Sequence, residues 1–213
     1  DKINSSIKFI RFESSNPKDF SDELIETIAS DTRLCRGLHI AVQHGSSAIL
    51  KKMGRRYSRE RYLELVNKLK FAIPDLQLST DIMLGFPGET EEDFNQVLTL
   101  MEEVGYESAF MYYFNPREGT PAATMENQID LETKKARLQK VIDLQLQISN
   151  KVMTRRLGQT EEVLADIVSR DDNCELLGKT SQNERIAFKG KKNLLGTFVK
   201  VSRSEEHTSE LQS

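Results

Sequence analysis

The first two thirds of the chain alternate short runs of β-branched and aromatic residues with longer segments whose apolar positions recur at helical spacing. Four runs predict strands, at residues 7–12, 38–42, 76–84 and 109–114. Their starts lie about 30 to 40 residues apart, which is the length of a strand-plus-helix unit. This repeated order predicts an α/β fold with parallel strands and helices packed outside them.

Capping residues support the helices between these strands. Thr90 and Asp93 form the pattern of a capping box in front of an apolar stripe, and Gly105 is placed to end that helix. Ser58 stands before a second apolar stripe, as an N-cap residue does. A long helix is predicted from about Asp130 to the vicinity of residue 156.

A different pattern begins at about residue 160. Short β-rich runs at residues 162–167, 185–188 and 197–201 are separated by turn-forming residues, among them the turn predicted at 171–173. This pattern predicts a small all-β module, and we expect it to be a barrel.

The two ends of the sequence indicate a fragment with a foreign tail. Residues 203–213, RSEEHTSELQS, resemble the translation of a sequencing-library adapter, and we expect this tail to be foreign to the protein. The chain opens at Asp1 without an initiator methionine or an apolar leader, which indicates a piece of a longer protein. The remainder divides into an α/β domain, residues 1–154, and the all-β module, residues 155–202.

Composition narrows the class of protein. With 38% hydrophobic and 30% charged residues the chain lies in the globular range, and no apolar run reaches the roughly 20 residues that span a bilayer. These features exclude a membrane protein. Cys35 and Cys174 lie far apart and make no metal-ligand spacing, which fits two ordinary thiols in a reducing cytoplasm.

Charge is distributed unevenly along the chain. The tail holds one of the 30 basic and three of the 33 acidic residues, so residues 1–202 carry a net charge of −1. The β module holds nine basic and seven acidic residues, so a positive excess is local to it. Six cations crowd residues 51–61 against the single Glu60, which suits either a solvated helix start or contact with nucleic acid.

The candidate functional residues lie in the loops that follow the predicted strands, where parallel α/β folds place their sites. Small polar or glycine-rich loops follow all four strands, at residues 14–17, 43–47, 85–90 and 115–120, and together they predict a ligand-binding rim. Asp81 is the sharpest signal, because a carboxylate inside an apolar strand needs an ion pair, a hydrogen bond or a ligand.

The neighbouring polar residues leave their roles open. Gln43 could bind a ligand or merely cap the edge of a strand. His39 and His44 lack a partner at metal-ligand spacing, so a satisfied or solvated histidine is the better interpretation of each. Tyr112 and Phe114 suit barrel lining or packing better than base stacking.

Five groups of ordered motifs stand out along the chain. They are SSNPKDFSDELIE at 14–26, LHIAVQHGSSAILKKMGRRYSRE at 38–60, STDIMLGFPGETEEDF at 79–94, EVGYESAFMYYFNPREGTPAA at 103–123, and the later LGQTEEVL and LLGKTSQN. In combination they resemble the radical S-adenosylmethionine methylthiotransferases over residues 7 to about 201. The likeness is nearest to the branch that 2-methylthiolates N6-isopentenyladenosine at position 37 of tRNA.

The resemblance implies the C-terminal half of a partial (βα) radical S-adenosylmethionine barrel, followed by a TRAM β-barrel that binds tRNA. It also implies S-adenosylmethionine and two 4Fe-4S clusters as cofactors of the intact enzyme. An electron donor and a sulfur source are further implied partners, in a cytoplasmic enzyme with no membrane contact. The family's CxxxCxxC triplet and three auxiliary-cluster cysteines are absent from this sequence, so we expect neither metal ligands nor catalytic activity in the chain by itself.

Three alternatives stay open at this point. Two are neighbouring branches of the family, one acting on threonylcarbamoyladenosine in tRNA and one on an aspartate of a ribosomal protein. The third is a non-catalytic RNA-binding protein that keeps the TRAM module.

By motif position, the resemblance assigns S-adenosylmethionine binding to Gln43, Arg55, Asp81 and Gly85, with Arg56 as the alternative to Arg55. Gly85 would let the adenine approach the end of the strand, because glycine has no side chain. The expected RNA phosphate contacts are Arg155, Arg156, Arg170, Lys179, Arg185, Lys189, Lys191 and Lys192.

Overall fold

The structure is a computed structural model, and it describes residues 7–12, 16–170 and 175–204. The helices are α1 (Asp22–Ser30), α2 (Ser47–Lys52), α3 (Arg59–Ala72), α4 (Glu91–Val104) and α5 (Leu131–Thr154). The strands are β1 (Gly37–His39), β2 (Gln77–Leu84), β3 (Ser108–Tyr113), β4 (Thr160–Val168), β5 (Glu175–Thr180), β6 (Arg185–Lys189) and β7 (Phe198–Ser202). None of the described helices combines the length and apolar character needed to cross a membrane.

Strands β1, β2 and β3 form a parallel sheet in that order, as the repeated strand and helix pattern predicts. Along β2 the side chains alternate: Leu78, Thr80, Ile82 and Leu84 are buried. All five helices contribute apolar side chains to one core on that side of the sheet. The chain is therefore an α/β protein whose sheet is covered on one side.

The other side of the sheet stays open to solvent. Strand register places residues of β1 and β3 beside the partly exposed residues of β2. We call this surface the open face, and it comprises His39, Ser79, Asp81, Met83, Phe110 and Tyr112.

The first predicted strand is wrong. Residues 7–12 make only one isolated parallel bridge, from Ile10 to Leu34. One of their two aromatic rings, that of Phe9, packs edge-on against Phe198 of the β module, with ring centres 5.0 Å apart. The segment therefore joins the two parts of the protein instead of extending the sheet.

The second predicted strand is shorter than expected. Strand β1 ends at His39, and the carbonyls of Ala41 and Val42 both accept 3.1 Å hydrogen bonds from the Tyr57 hydroxyl. These carbonyls are therefore satisfied by a side chain instead of a neighbouring strand. The predicted strands at 76–84 and 109–114 are confirmed as β2 and β3.

The predicted helix caps are confirmed. Thr90 and Asp93 exchange the two hydrogen bonds of a capping box at the start of α4. Gly105 ends that helix with φ of 66°, a left-handed conformation that glycine adopts without strain. Ser58 and Asp130 cap α3 and α5 by accepting hydrogen bonds from backbone N–H groups.

The all-β module is a four-stranded antiparallel sheet in the order β6-β5-β4-β7, with an irregularity in β4 after Ala165. The runs predicted at 162–167, 185–188 and 197–201 correspond to β4, β6 and β7. The turn predicted at 171–173 lies outside the described residues.

Strand β5 is not predicted from the sequence, because Gly178 interrupts its short apolar run. The structure gives a reason for the glycine. A Cβ at this position would collide with Val163 of β4 and press on Phe188 of β6. The two neighbouring strands therefore pack their side chains over the backbone of β5.

The β module meets the α/β part through a largely buried group of ion pairs. Arg156, just after α5, pairs with Glu161 at 2.5 Å and Glu184 at 2.8 Å, and lies 3.8 Å from Glu107. Arg203 donates hydrogen bonds to both Glu161 and Glu184. Three carboxylates therefore share two guanidinium groups at the junction.

Arg203 is the first residue of the tail that is expected to be foreign, and its side chain is part of this junction. Its side chain is nearly buried, and its backbone N–H donates a 2.9 Å hydrogen bond to the carbonyl of Gln159. Residues 205–213 of the same tail lie outside the described part of the chain.

The junction makes the stability of the fold depend on pH. Burial raises the pKa of Glu107 to about 7, with Arg156 opposing the shift and Glu184 adding to it. The folded state therefore keeps a proton that an unfolded glutamate, with a pKa of 4.5, releases earlier. Stability consequently falls as the pH rises from about 4.5 to about 7.

Replacing Glu107 should make the stability of the fold less dependent on pH. The measurement is the free energy of unfolding in urea at about pH 5 and at about pH 7.5. We expect the difference between the two values to be smaller by on the order of 2 kcal/mol in Glu107→Gln than in the unaltered chain, because the glutamine side chain does not titrate.

Glu102→Gln is the matched control, because Glu102 lies exposed on α4. Its pH dependence should equal that of the unaltered chain. The assignment to Glu107 is wrong if Glu107→Gln also leaves the pH dependence unaltered.

Candidate functional site

One buried carboxylate joins the loops that follow β1 and β2. The side chain of Glu89 is fully buried. Its Oε2 accepts a 2.7 Å hydrogen bond from the backbone N–H of Gly85 and lies 3.0 Å from Nε2 of His44. Its Oε1 accepts a 2.6 Å hydrogen bond from Arg137 of α5. These donors offset the cost of removing the carboxylate from water.

His44 belongs to this network. Its Nδ1 accepts a 2.9 Å hydrogen bond from the backbone N–H of Ser46, so the ring proton lies on Nε2 and is donated to Glu89. The side chain is completely buried. The interpretation of His44 as a satisfied histidine is confirmed.

Gly85 lies beneath Lys134 of α5. Its φ is 66°, and a Cβ there would collide with the aliphatic stem of Lys134. That stem carries the Lys134 ammonium to 5.4 Å from the ring centre of Phe114. The glycine is therefore required by this packing, and its role in admitting an adenine stays a prediction.

Asp81 lies near the centre of the open face. Its side chain is 29% exposed, and Oδ1 lies 3.4 Å from Nε2 of His39. The Nδ1 atom of His39 lies 3.0 Å from the hydroxyl of Ser79. Within the described residues His39 is the one basic side chain within 4 Å of the Asp81 carboxylate, so this carboxylate keeps acceptor capacity for a ligand.

Gln43 reaches the open face from the turn after β1. Its φ of 70° is unusual for a residue with a side chain, and two backbone hydrogen bonds hold it. The Gln43 N–H donates to the Asp81 carbonyl at 2.9 Å, and its carbonyl accepts from Met83 at 2.8 Å. The Tyr112 hydroxyl donates to Oε1 of Gln43 at 2.9 Å, which leaves the amide NH2 group without an acceptor in the described part of the protein.

Arg55 and Asp81 both act on Tyr112. The pKa of the Tyr112 hydroxyl is raised by burial first and by the Asp81 carboxylate second, while Arg55 lowers it. Arg55 is half-buried in the turn between α2 and α3, whereas Arg56 is exposed. Gln43 therefore contacts both Tyr112 and the backbone of Asp81, and Arg55 influences the group through its charge. Gly85 lies apart from them, under Lys134.

Sequence reasoning gave Tyr112 and His39 lesser roles than the structure does. The signal that could have found them is the alternation of polar and apolar residues along β2, which puts Asp81 on the solvent side. Parallel register then places Phe110 beside Asp81 and His39 beside Ser79. The missing information was the register itself.

Cysteine and metal chemistry is sparse in this part of the protein. The described residues contain no group of three or more His, Cys, Asp or Glu side chains able to hold a metal ion. Burial raises the pKa of the Cys35 thiol, which keeps it protonated. Cys174 lies outside the described residues.

Part of the expected RNA-binding set shares one face of the β module. Lys179 of β5 lies directly opposite Arg185 of β6, and Lys189 lies farther along the same face. Lys179 is only partly exposed. Lys200 of β7 is exposed on this face as well, and sequence reasoning passed over it.

The other predicted contacts are scattered. Lys191 and Lys192 are exposed in the loop before β7, and Arg155 and Arg170 are exposed elsewhere. Arg156 is different, because its side chain is 13% exposed and already paired with carboxylates at the junction. The structure therefore does not offer Arg156 as a phosphate contact.

Comparison with known proteins gives a consistent result. The family profile of the Radical SAM superfamily matches residues 2–101. The tRNA-2-methylthio-N(6)-dimethylallyladenosine synthase of Treponema pallidum (strain Nichols) is 52% identical over 206 residues, which are 96% of this chain and 45% of that protein. Synthases of the same name from Treponema denticola and Geobacillus kaustophilus are 48% and 46% identical over 93% of the chain, and over 45% and 38% of their own lengths. The chain thus spans less than half the length of these relatives.

A solved structure supports the fold. Coproporphyrinogen III oxidase from Escherichia coli, a radical SAM enzyme, superposes with a TM-score of 0.55 at 11% sequence identity. The match covers 92% of this chain and 52% of that chain. At this identity the likeness concerns the fold alone.

The Glu89 network should dominate the stability of the loops that it joins. Glu89→Gln removes a buried charge and leaves Arg137 without its shortest ion pair. We expect a loss on the order of 3 to 5 kcal/mol in the free energy of unfolding, measured with denaturant. Glu91→Gln removes the other, largely exposed partner of Arg137 and should cost less than about 1 kcal/mol. Equal losses for the two variants would contradict a central role for Glu89.

Proposed function

The chain belongs to the radical S-adenosylmethionine methylthiotransferase family, and from this premise we propose that it is part of an enzyme that converts N6-isopentenyladenosine at position 37 of tRNA to its 2-methylthio form. The observation that carries the proposal is 52% identity over 206 residues to a tRNA-2-methylthio-N(6)-dimethylallyladenosine synthase. The names of the matched relatives favour this branch over those acting on threonylcarbamoyladenosine or a ribosomal protein aspartate.

The groups around Tyr112 fit S-adenosylmethionine. The carboxylate of Asp81 accepts hydrogen bonds, which suits an amino group or a ribose hydroxyl. The amide NH2 of Gln43 is a donor without a protein acceptor in the described part of the chain, and the Arg55 guanidinium suits a carboxylate. Bound S-adenosylmethionine supplies the radical chemistry and the transferred methyl group.

Neighbouring residues of the open face position these groups. Nε2 of His39 lies 3.4 Å from one carboxylate oxygen of Asp81, and the Ser79 hydroxyl orients the His39 ring from its Nδ1 side. Tyr112 fixes the amide of Gln43 through its oxygen, so that the NH2 end is directed away from Tyr112. The Phe110 side chain, 64% exposed, provides an apolar surface beside Asp81.

The proposed reaction also needs iron-sulfur clusters, an electron donor, a sulfur source and a surface that binds tRNA. Two 4Fe-4S clusters would take their cysteine ligands from sequence outside it, because Cys35 and Cys174 form no CxxxCxxC motif. An electron donor and a sulfur source complete the reaction, which we place in the cytoplasm. The exposed cations of the β module would contact tRNA phosphates, foremost Arg185, Lys189, Lys191 and Lys192.

Asp81→Asn should weaken binding of S-adenosylmethionine to the chain about tenfold, because the amide cannot accept as two charged oxygens do. Isothermal titration calorimetry measures this directly. Asp166→Asn, an exposed change of the same type in the β module, should leave the affinity unaltered. If the Asp81 and Asp166 variants bind equally well, the assignment of Asp81 to the cofactor fails.

A chimaera tests the proposed reaction. This chain would replace the matching 206 residues of the Treponema pallidum synthase, whose own sequence supplies the rest of the enzyme. With reconstituted clusters, reductant, a sulfur source and isopentenylated tRNA, we expect the 2-methylthio nucleoside in mass spectra of digested tRNA. Asp81→Asn in the chimaera should reduce the yield at least tenfold. Cleavage of S-adenosylmethionine without that nucleoside would contradict the proposed substrate.

A further inference from the structure

A cationic segment begins at the end of α2, and most of its charge is not paired within the described residues. Residues 51–56, which end α2 and lead toward α3, contain four cations and no acidic residue. The chain as a whole has a formal net charge of −3, so this concentration of positive charge is local. A strong local field of this kind favours an anionic partner.

The cations next to this segment are structural. Arg59 donates to the carbonyl of Gln96 and pairs with Glu103 at 3.1 Å. Arg61 pairs with Glu64 at 2.9 Å on the surface of α3. These arginines are therefore neutralised within the protein.

The cations of the segment itself are not neutralised. Lys52 donates only to the carbonyl of Gly88, at 3.1 Å, which leaves its charge in place. Lys51 and Arg56 are exposed, and in the described part of the chain neither has a carboxylate partner. The segment thus presents unpaired charge to solvent.

Two cations of the segment, Arg55 and Arg56, line a groove of about 400 Å³. Its walls come from the segment and from the short turn that precedes α1, which together contribute three cations. We call it the rim groove, and it is lined by Asn16, Lys18, Met53, Gly54, Arg55 and Arg56. A concave surface lined mainly by donors and cations matches the spaced oxygens of a phosphodiester chain.

The rim groove adjoins the candidate site. Met53 lines the groove, and it packs on the same apolar cluster as Met83 of the open face. An RNA strand in the groove would therefore pass the mouth of the open face, where a single nucleotide could turn inward. Charge complementarity and this adjacency favour RNA as the occupant.

We propose that the rim groove, together with the exposed Lys51 in the last turn of α2, binds the phosphodiester backbone of the RNA strand whose base enters the open face. The proposal rests on the proposed function, since it takes the substrate to be RNA. It adds a second RNA contact on the α/β part, separate from the cations of the β module. Such contacts position the strand and carry little sequence information.

The test measures binding of the chain to a fluorescein-labelled RNA stem-loop by fluorescence anisotropy over a series of salt concentrations. Lys51→Ala and Arg56→Ala should each weaken binding about 3- to 10-fold and reduce the slope of log affinity against log salt by about one. Lys151→Ala is the matched control, because Lys151 is exposed on α5, far along the chain from the groove. It should change neither the affinity nor the slope.

Two further outcomes are informative. If Lys51→Ala and Arg56→Ala bind like Lys151→Ala, while Lys189→Ala and Lys192→Ala weaken binding, the groove proposal is overturned and the proposed function stands. If the unaltered chain shows no salt-dependent affinity for the RNA, the groove proposal fails, and the chimaera decides the function separately. Circular dichroism spectra of all variants should superpose, which excludes misfolding as the cause of a loss.

Discussion

The buried carboxylate of Glu89 is the constraint on which the site depends. It is enclosed by a backbone N–H, an imidazole and a guanidinium that come from three separate stretches of the chain. A buried carboxylate has lost its hydrogen bonds to water, so each protein donor that is missing costs free energy. Few other arrangements of these three segments would supply the donors. The turns after β1 and β2 and the start of α5 are therefore fixed relative to one another. The hydrogen bonds of Glu89 thus determine how the loops at this end of the sheet are arranged.

Given that rim, the alternation of side chains along β2 determines what the site offers. One set of residues packs into the helical core, and the other set leaves an acid and polar groups facing solvent. Gln43 contacts Tyr112, and the charges of Asp81 and Arg55 act on the same hydroxyl although these residues come from different elements. A donor, an acceptor and a cation are thereby held close together without neutralising one another. This arrangement suits a ligand that carries a carboxylate, an amino group and hydroxyls.

Local features of this fold are predictable from the sequence, and features set by distant partners are not. The capping box of Thr90 and the ending of α4 at Gly105 depend on nearby residues, so their patterns suffice. At the junction, Arg156 lies near both Glu107 and Glu184, which are 77 positions apart in the sequence. A local pattern cannot reveal such a contact. The same limit applies to the site: Asp81 is conspicuous because it breaks an apolar run, whereas the part played by Tyr112 emerges only from strand register and the unusual backbone of Gln43.

The central claim is that the open face of the parallel sheet receives S-adenosylmethionine. Met83 lies on that face and Met101 lies in the core, so methionine methyl groups report on the two sides of the sheet separately. The most direct measurement is a titration of the methyl-labelled chain with S-adenosylmethionine, followed by NMR spectroscopy. We expect the Met83 methyl resonance to shift progressively while that of Met101 stays in place. A Met83 resonance that does not move at saturating cofactor would contradict the central claim.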